Sequence, residues 1–269
     1  MTKTRVFAVI MFSAFILTYL HLYMIDLPNK EARLEMHTQI VSLAAPAPYS
    51  GRLLVPMTLD GLTHKIGFTQ TYALYNFLAL ALLLMVLYLM CRYVSDPQSA
   101  IIATCIAAAS IATTFTHHYF QPWSMLEASL FGLILMQTAA IKREPVAVSC
   151  GIAILASLMI LNRYTPLDTH STIEYIRQTN DTWRKCYGMW VKTVIAHAAF
   201  WNAIPILAII GYKRSSRLLK APLLILPVYI AIMLAVRTRV VETRPFMSML
   251  PVVMPMVAVG ISRLREGGR

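Results

Sequence analysis

Thr71–Cys91 reads TYALYNFLALALLLMVLYLMC, with no Asp, Glu, Lys or Arg. A helix needs about 20 apolar residues to cross the hydrocarbon layer of a bilayer, so this stretch is long enough to span. Val6–Ile25, behind Lys3 and Arg5, and Trp190–Tyr212 are of the same kind. Shorter apolar segments at Ser99–Thr116, Met125–Ile141, Val146–Leu161, Leu219–Val236 and Phe246–Ser262 bring the expected set to about eight spans. Composition agrees. The chain has 269 residues, 58% hydrophobic and 13% charged, and its mean hydropathy is +0.61. A soluble domain has about 45–50% apolar and about 25% charged residues. A disordered chain, a collagen-like chain and almost any soluble enzyme are excluded. The expected fold is all-α: a polytopic integral membrane protein, one membrane domain over residues 1–269, with amphipathic helices on its outer face.

The net charge of +12 reads as topology rather than as a nucleic-acid footprint, because cytoplasmic loops of membrane proteins collect Lys and Arg. Lys3 and Arg5, Arg92, Lys142-Arg143, the run Lys213–Arg217, and Arg263, Arg265 and Arg269 occupy short connections on one side. That side is expected to be the cytoplasm, with both termini there. The other side then holds a first outer loop over 26–70, a second large loop over 162–189, and the shorter connections His117–Ser124 and Arg237–Pro245. The first span is expected to be an uncleaved signal anchor. Cys91, Cys105, Cys150 and Cys186 have no metal-ligand spacing and read as packing residues.

Two outer loops read as helices lying on the membrane. Ser171 and Glu174 have capping-box spacing, and Ile176, Trp183, Tyr187 and Trp190 then form one apolar stripe over 172–189. In the first loop Pro28 can open a helix with Leu34, Ile40, Val41 and Ala44 on one side, which Pro46 and Pro48 end.

The outer side also gathers the reactive groups. Asp26 directly follows the first span and is either a general base or metal ligand at the membrane surface, or an N-cap for the helix near Pro28, the cap being favoured. Glu127, just inside a span, is either a functional carboxylate at membrane depth or half of a capping box with Ser124. His117 and His118 suit substrate contact or interfacial anchoring, with a divalent metal as a weaker alternative; Asp60 and His64, four apart, give a second weak metal hint. Arg237, Arg239 and Arg244 share one outer loop with Glu242, and Arg52 and Arg163 add to the same face. Guanidinium groups suit bidentate phosphate binding, which the shared face favours over snorkelling with an Arg–Glu pair. His197 and Asn202 read as helix–helix hydrogen bonds.

Three short stretches carry a resemblance. Tyr49-Ser50-Gly51-Arg52-Leu53-Leu54-Val55-Pro56 is similar to the Tyr-x-x-Arg-x-Leu-x-Pro stretch in the first outer loop of a group of bacterial polytopic proteins. Asn162-Arg163-Tyr164-Thr165 resembles that group's Asn-Arg-Glu-Thr element, with Tyr164 in place of Glu. Glu242-Thr243-Arg244-Pro245-Phe246 resembles its Glu-x-Arg-x-Phe element. The group in turn resembles the GT-C glycosyltransferases. The resemblance implies a multi-pass enzyme of the bacterial plasma (inner) membrane that takes sugar from a polyprenyl-phosphate carrier at the extracytoplasmic face. It implies Asp26 as base, Arg52, Arg163 and Arg244 lining the site, and Glu242 pairing with or orienting Arg244. The competing classes are a transporter or flippase for an anionic or lipidic substrate, and a non-catalytic membrane assembly subunit.

Overall fold

The computed structural model describes residues 2–45, 54–117, 125, 128–130, 132–136, 187–215, 220 and 244–267. Every regular element among them is helical: α1 (Lys3–His21), a π turn (Leu22–Asp26), α2 (Lys30–Val41), α3 (Leu54–Ile66), α4 (Phe68–Val94), α5 (Pro97–Thr113), a 3-10 turn (Thr114–His117), α6 (Tyr187–Trp201), α7 (Ile204–Tyr212), a second 3-10 turn (Arg244–Met249) and α8 (Leu250–Gly267).

Burial in α1 does not follow polarity. The face turned inward carries Val6, Ile10, Ala14, Leu17 and His21, while Phe7, Phe12 (64% exposed), Phe15 and Tyr19 point outward. Four aromatic side chains on one outward face would be costly in water. Apolar groups on the outward as well as the inward face are the sorting of a helix whose outer surroundings are apolar. Among the described residues, α1 with its π turn is one of two helices long and apolar enough to cross a membrane, at Lys3–Asp26; α4 is the other, and α6 with α7 makes a third if that bent pair is one span.

The expectation of eight spans is thus met by two or three among the described residues, for identifiable reasons. Val146–Leu161 and nearly all of Leu219–Val236 lie outside them, as does much of Met125–Ile141 and almost all of the amphipathic helix expected over 172–189. α5 is apolar but only 17 residues long. The segment read as Phe246–Ser262 starts as a 3-10 turn, and α8 becomes helical only at Leu250.

Trp190–Tyr212 is not one straight helix. It breaks after Trp201 and bends by 48°, with Asn202 at φ 34 and Pro205 in the first turn of α7. Proline cannot supply the backbone N–H a continuous helix would use. A break in apolar surroundings leaves backbone groups that need partners, and Asn202 supplies them. Its amide donates to the Phe200 carbonyl (3.2 Å) and to Ser110 Oγ of α5 (2.9 Å), and its Oδ1 accepts from Ala203 N–H. Asn202 is therefore a helix–helix hydrogen bond, as its position predicts. α7 then crosses α8 at two glycines. A Cβ on Gly211 would run into the Met256 carbonyl, and one on Gly260 into the Leu207 carbonyl.

One end of the bundle is closed by Asp96. It caps α5 by accepting from Gln98 N–H (2.9 Å) and Ser99 N–H (3.1 Å), and Arg265 from the end of α8 reaches it at 2.8 Å. Burial pushes the Asp96 carboxyl up, but the Ser99 hydrogen bonds and Arg265 outweigh it and hold the group well below the usual carboxylate range. Arg214 and Glu266 pair at the same end (3.0 Å). Arg92, at the end of α4, donates to the Ser95 carbonyl there. Cys91 packs inside as expected, whereas Cys105 is exposed on α5.

Candidate functional site

The opposite end of the bundle is polar inside. α1 does not stop at His21 but widens into the π turn, where Leu27 N–H donates to the Leu22 carbonyl (2.9 Å). In an α-helix, residues five apart point roughly 140° away from each other. The wider turn closes most of that angle, and single π turns recur at functional positions. Here it brings Asp26 onto the inward face beside His21, with His21 Nδ1 3.2 Å from Asp26 Oδ2.

Asp26 is not a helix cap. The residue before α2 is Asn29, whose amide turns back to the Ile25 carbonyl (2.8 Å). Asp26 is 4% exposed, and its Oδ1 is ion-paired with Arg33 Nη1, one turn into α2. Asn76 of α4 adds its amide at 3.4 Å from Asp26 Oδ2 and 3.1 Å from His21 Nδ1. These three groups form a triangle that one proton decides. With Nδ1 protonated, His21 donates to Asp26; with Nδ1 bare, it accepts from Asn76. Asn76 is fully buried, and its Oδ1 has no donor among the described residues.

α2 is built to bury charge. Its inward row is Arg33, His37 and Ile40, whereas Leu34, expected on the apolar side, is 44% exposed. The reason lies in what α2 faces, which is the polar stretch of α4 rather than lipid. The Arg33 guanidinium lies 5.4 Å from the centre of the Tyr72 ring, a cation–π arrangement. Burial pushes Arg33 down to about 10, with Tyr72 acting in the opposite direction, so it remains a cation at neutral pH. His37 Nδ1 meets the Tyr72 hydroxyl at 2.9 Å, and its Nε2 meets Asp60 Oδ1 of α3 at 3.1 Å. With Nδ1 accepting from the Tyr72 hydroxyl and Nε2–H donating to Asp60, all three groups are satisfied.

The pairing of Asp60 with His64 is not a metal set. His64 Nδ1 donates to the Asp60 carbonyl (2.9 Å), and the ring is exposed. Among the described residues no three His, Cys, Asp or Glu side chains converge to hold a metal ion.

Of the residues singled out in the sequence, Asp26 sits in this cluster. His117 and Arg244 are placed by backbone only, at the end of the first 3-10 turn and the start of the second. The first of these turns packs on the π turn of Asp26, with the Phe115 ring edge-on to His21 at 5.0 Å. Arg52, His118, Glu127, Arg163, Arg237, Arg239 and Glu242 lie outside the described residues. His21, Arg33, His37, Tyr72 and Asn76 were not singled out as site residues. Two signals for them were present: Arg33 and His37 are four apart, and so are Tyr72 and Asn76, the latter pair inside an apolar span where polar groups call for a reason.

The cluster offers a buried carboxylate, an imidazole next to it, a guanidinium and an amide with a free acceptor, under a short helix at one end of an apolar bundle. That combination can hold a phosphoryl group and accept a proton. No protein-family model, curated protein or solved structure matches the chain.

Proposed function

We propose that the chain is a GT-C-like glycosyltransferase of the bacterial inner membrane, using a polyprenyl-phosphate-linked sugar at the extracytoplasmic face. The observation that supports it is Asp26, a carboxylate buried beside Arg33 and His21 where the first apolar helix ends. An ionisable group at such depth is a functional-site hypothesis by default. In this reading the protein has about eight spans, with both termini cytoplasmic. The basic groups Arg92, Arg214 and Arg265 then mark the inner end, and the Asp26 cluster opens outward.

Asp26 takes the proton of the acceptor hydroxyl as the acceptor oxygen bonds to the sugar C1 and the C1–O bond to phosphate breaks. Polyprenyl phosphate leaves with the electron pair. Base catalysis of this kind contributes about 10²–10⁴-fold. Arg52, Arg163, Arg237, Arg239 and Arg244 hold the phosphate, Glu242 orients Arg244, and His117, His118 and Glu127 line the sugar side. A divalent metal is compatible with this chemistry. Native mass spectrometry of the protein released from membranes tests the reading. The expected spectrum carries an adduct with the mass of a polyprenyl phosphate or its sugar conjugate. Adducts of bulk phospholipid alone, even after polyprenyl phosphate is added, would contradict it.

A transporter of an anionic lipid is the second reading, favoured by one observation. The break between α6 and α7 is the kind of interrupted helix that lines transport sites. The hydrogen bonds of Asn202 already satisfy that break, which weakens its claim.

A further inference from the structure

Asp26 as a base faces a difficulty that the structure itself raises. The carboxylate is 4% exposed and covered by Arg33, itself 2% exposed, so no acceptor hydroxyl reaches it while that pair stands. We propose that Arg33 is an exchangeable cation: at rest it closes Asp26 off, and an incoming phosphoryl group draws the guanidinium away and uncovers the carboxylate. This rests on the reading of the cluster as a site for a phosphorylated lipid, and it names how that site is opened.

Three observations carry it. First, α2 is held down mainly by contacts that can be exchanged. On its fully buried row, Arg33 and His37 are bound through charge and hydrogen bonds, and only Ile40 is held by apolar burial. The N-terminal end of α2, where Arg33 sits, has no side-chain cap, because Asn29 bonds backwards to Ile25; the far end is closed by Ser42 Oγ donating to the Gln39 carbonyl (3.2 Å). Second, the guanidinium has a better partner available in kind. Its fork of donors fits two phosphate oxygens at once, both in the phosphodiester of a sugar donor and in polyprenyl phosphate itself, and the latter, a monoester, carries more charge than the carboxylate it would replace. Lys30, exposed one turn before Arg33, adds a second cation on the same side of α2. Third, an acceptor on a side chain that already touches Asp26 is open to a hydroxyl. Asn76 Oδ1 is fully buried with no donor among the described residues, next to the Asp26 oxygen that His21 and Asn76 already orient. A sugar or acceptor hydroxyl donating to Asn76 would satisfy an acceptor that is costly to leave bare.

The test is the chemical reactivity of Asp26. The full-length protein in nanodiscs is treated with a hydrophobic carbodiimide and an amine, and labelling is mapped by peptide mass spectrometry, with exposed Glu31 and Glu35 of α2 as internal controls. Three arms are run on the unmodified protein: no addition, inorganic phosphate, and polyprenyl phosphate. Asp26 is expected to be nearly inert alone and to label several-fold faster with polyprenyl phosphate, while Glu31 and Glu35 keep their rates. A rise with inorganic phosphate as well would mean that the phosphoryl group alone drives the exchange. A rise with neither overturns the proposal. Arg33→Gln adds an independent arm, expected to label at Asp26 without any phosphate; an inert Asp26 in folded Arg33→Gln protein would show that Arg33 is not what covers it. If polyprenyl phosphate uncovers Asp26 but no donor supports sugar transfer, the exchange stands and the transferase reading falls. If transfer proceeds with Asp26 inert throughout, the transferase reading stands and the exchange falls.

Discussion

Arg33→Met is expected to destabilise the protein by about 3–5 kcal/mol, the usual cost of removing one partner from a buried ion pair. Arg33 and Asp26 face each other at 2% and 4% exposure. The cost comes less from a lost attraction than from the carboxylate left behind. In the single variant, Asp26 keeps, among the described residues, only His21 and the Asn76 amide, and neither brings a permanent positive charge. The double variant Asp26→Leu/Arg33→Met is expected to recover most of the loss, because two apolar groups of similar bulk need no compensation. Reversible unfolding in bicelles of the two single variants, the double variant and the parent protein gives the coupling directly. Near-additive losses would mean that the pair does not exist as described. The same cycle bears on function. If the double variant is as stable as the parent protein, the charges are dispensable for folding, and their presence calls for a functional reason.

Gly260→Leu is expected to cost about 3 kcal/mol through a different physical cause. α7 and α8 approach so closely that the backbones meet at Gly211 and Gly260, with the Leu207 and Met256 carbonyls where a Cβ would stand. In lipid, helices associate by packing and not by expulsion of water, so small residues at a crossing matter more than apolar bulk. A leucine at 260 meets backbone rather than a flexible side chain, and the helices must separate along their length. Gly61→Ala is the control: its Cβ meets open space, and alanine favours the helix by up to about 1 kcal/mol. Thermal unfolding of both variants decides. A Gly260→Leu protein as stable as the parent would refute the close crossing.

How much of this was legible in the sequence varies by element. α4 could be read from Thr71–Cys91 because a long run without charge has no competing interpretation, and the helix extends it to Phe68–Val94. α1 was legible for the same reason. The break at Asn202 was half legible: Pro205 marked a weak point, but the Ser110 hydroxyl that completes the corner is far away in sequence. Asp26 misled because local spacing favours a cap ahead of Pro28, and the π turn that carries it inward pays off only through groups on α2 and α4. The inward row of α2 was the larger miss. Leu34, Ile40 and Val41 suggested an apolar face; Ile40 is buried as expected, but Arg33 and His37 share its row because Tyr72 and Asp60 wait there. Pattern alone shows which residues share a side of a helix; it does not show what that side will meet.

The most direct measurement is sugar transfer by Asp26→Asn protein, set against its binding of polyprenyl phosphate. The substitution keeps the shape of the side chain and removes the proton acceptor. Binding is expected to persist while transfer falls by about 10²–10⁴-fold, with KM for the donor little changed. Transfer at the parental rate by folded Asp26→Asn protein would contradict it and leave the buried pair of Asp26 and Arg33 as a structural tie.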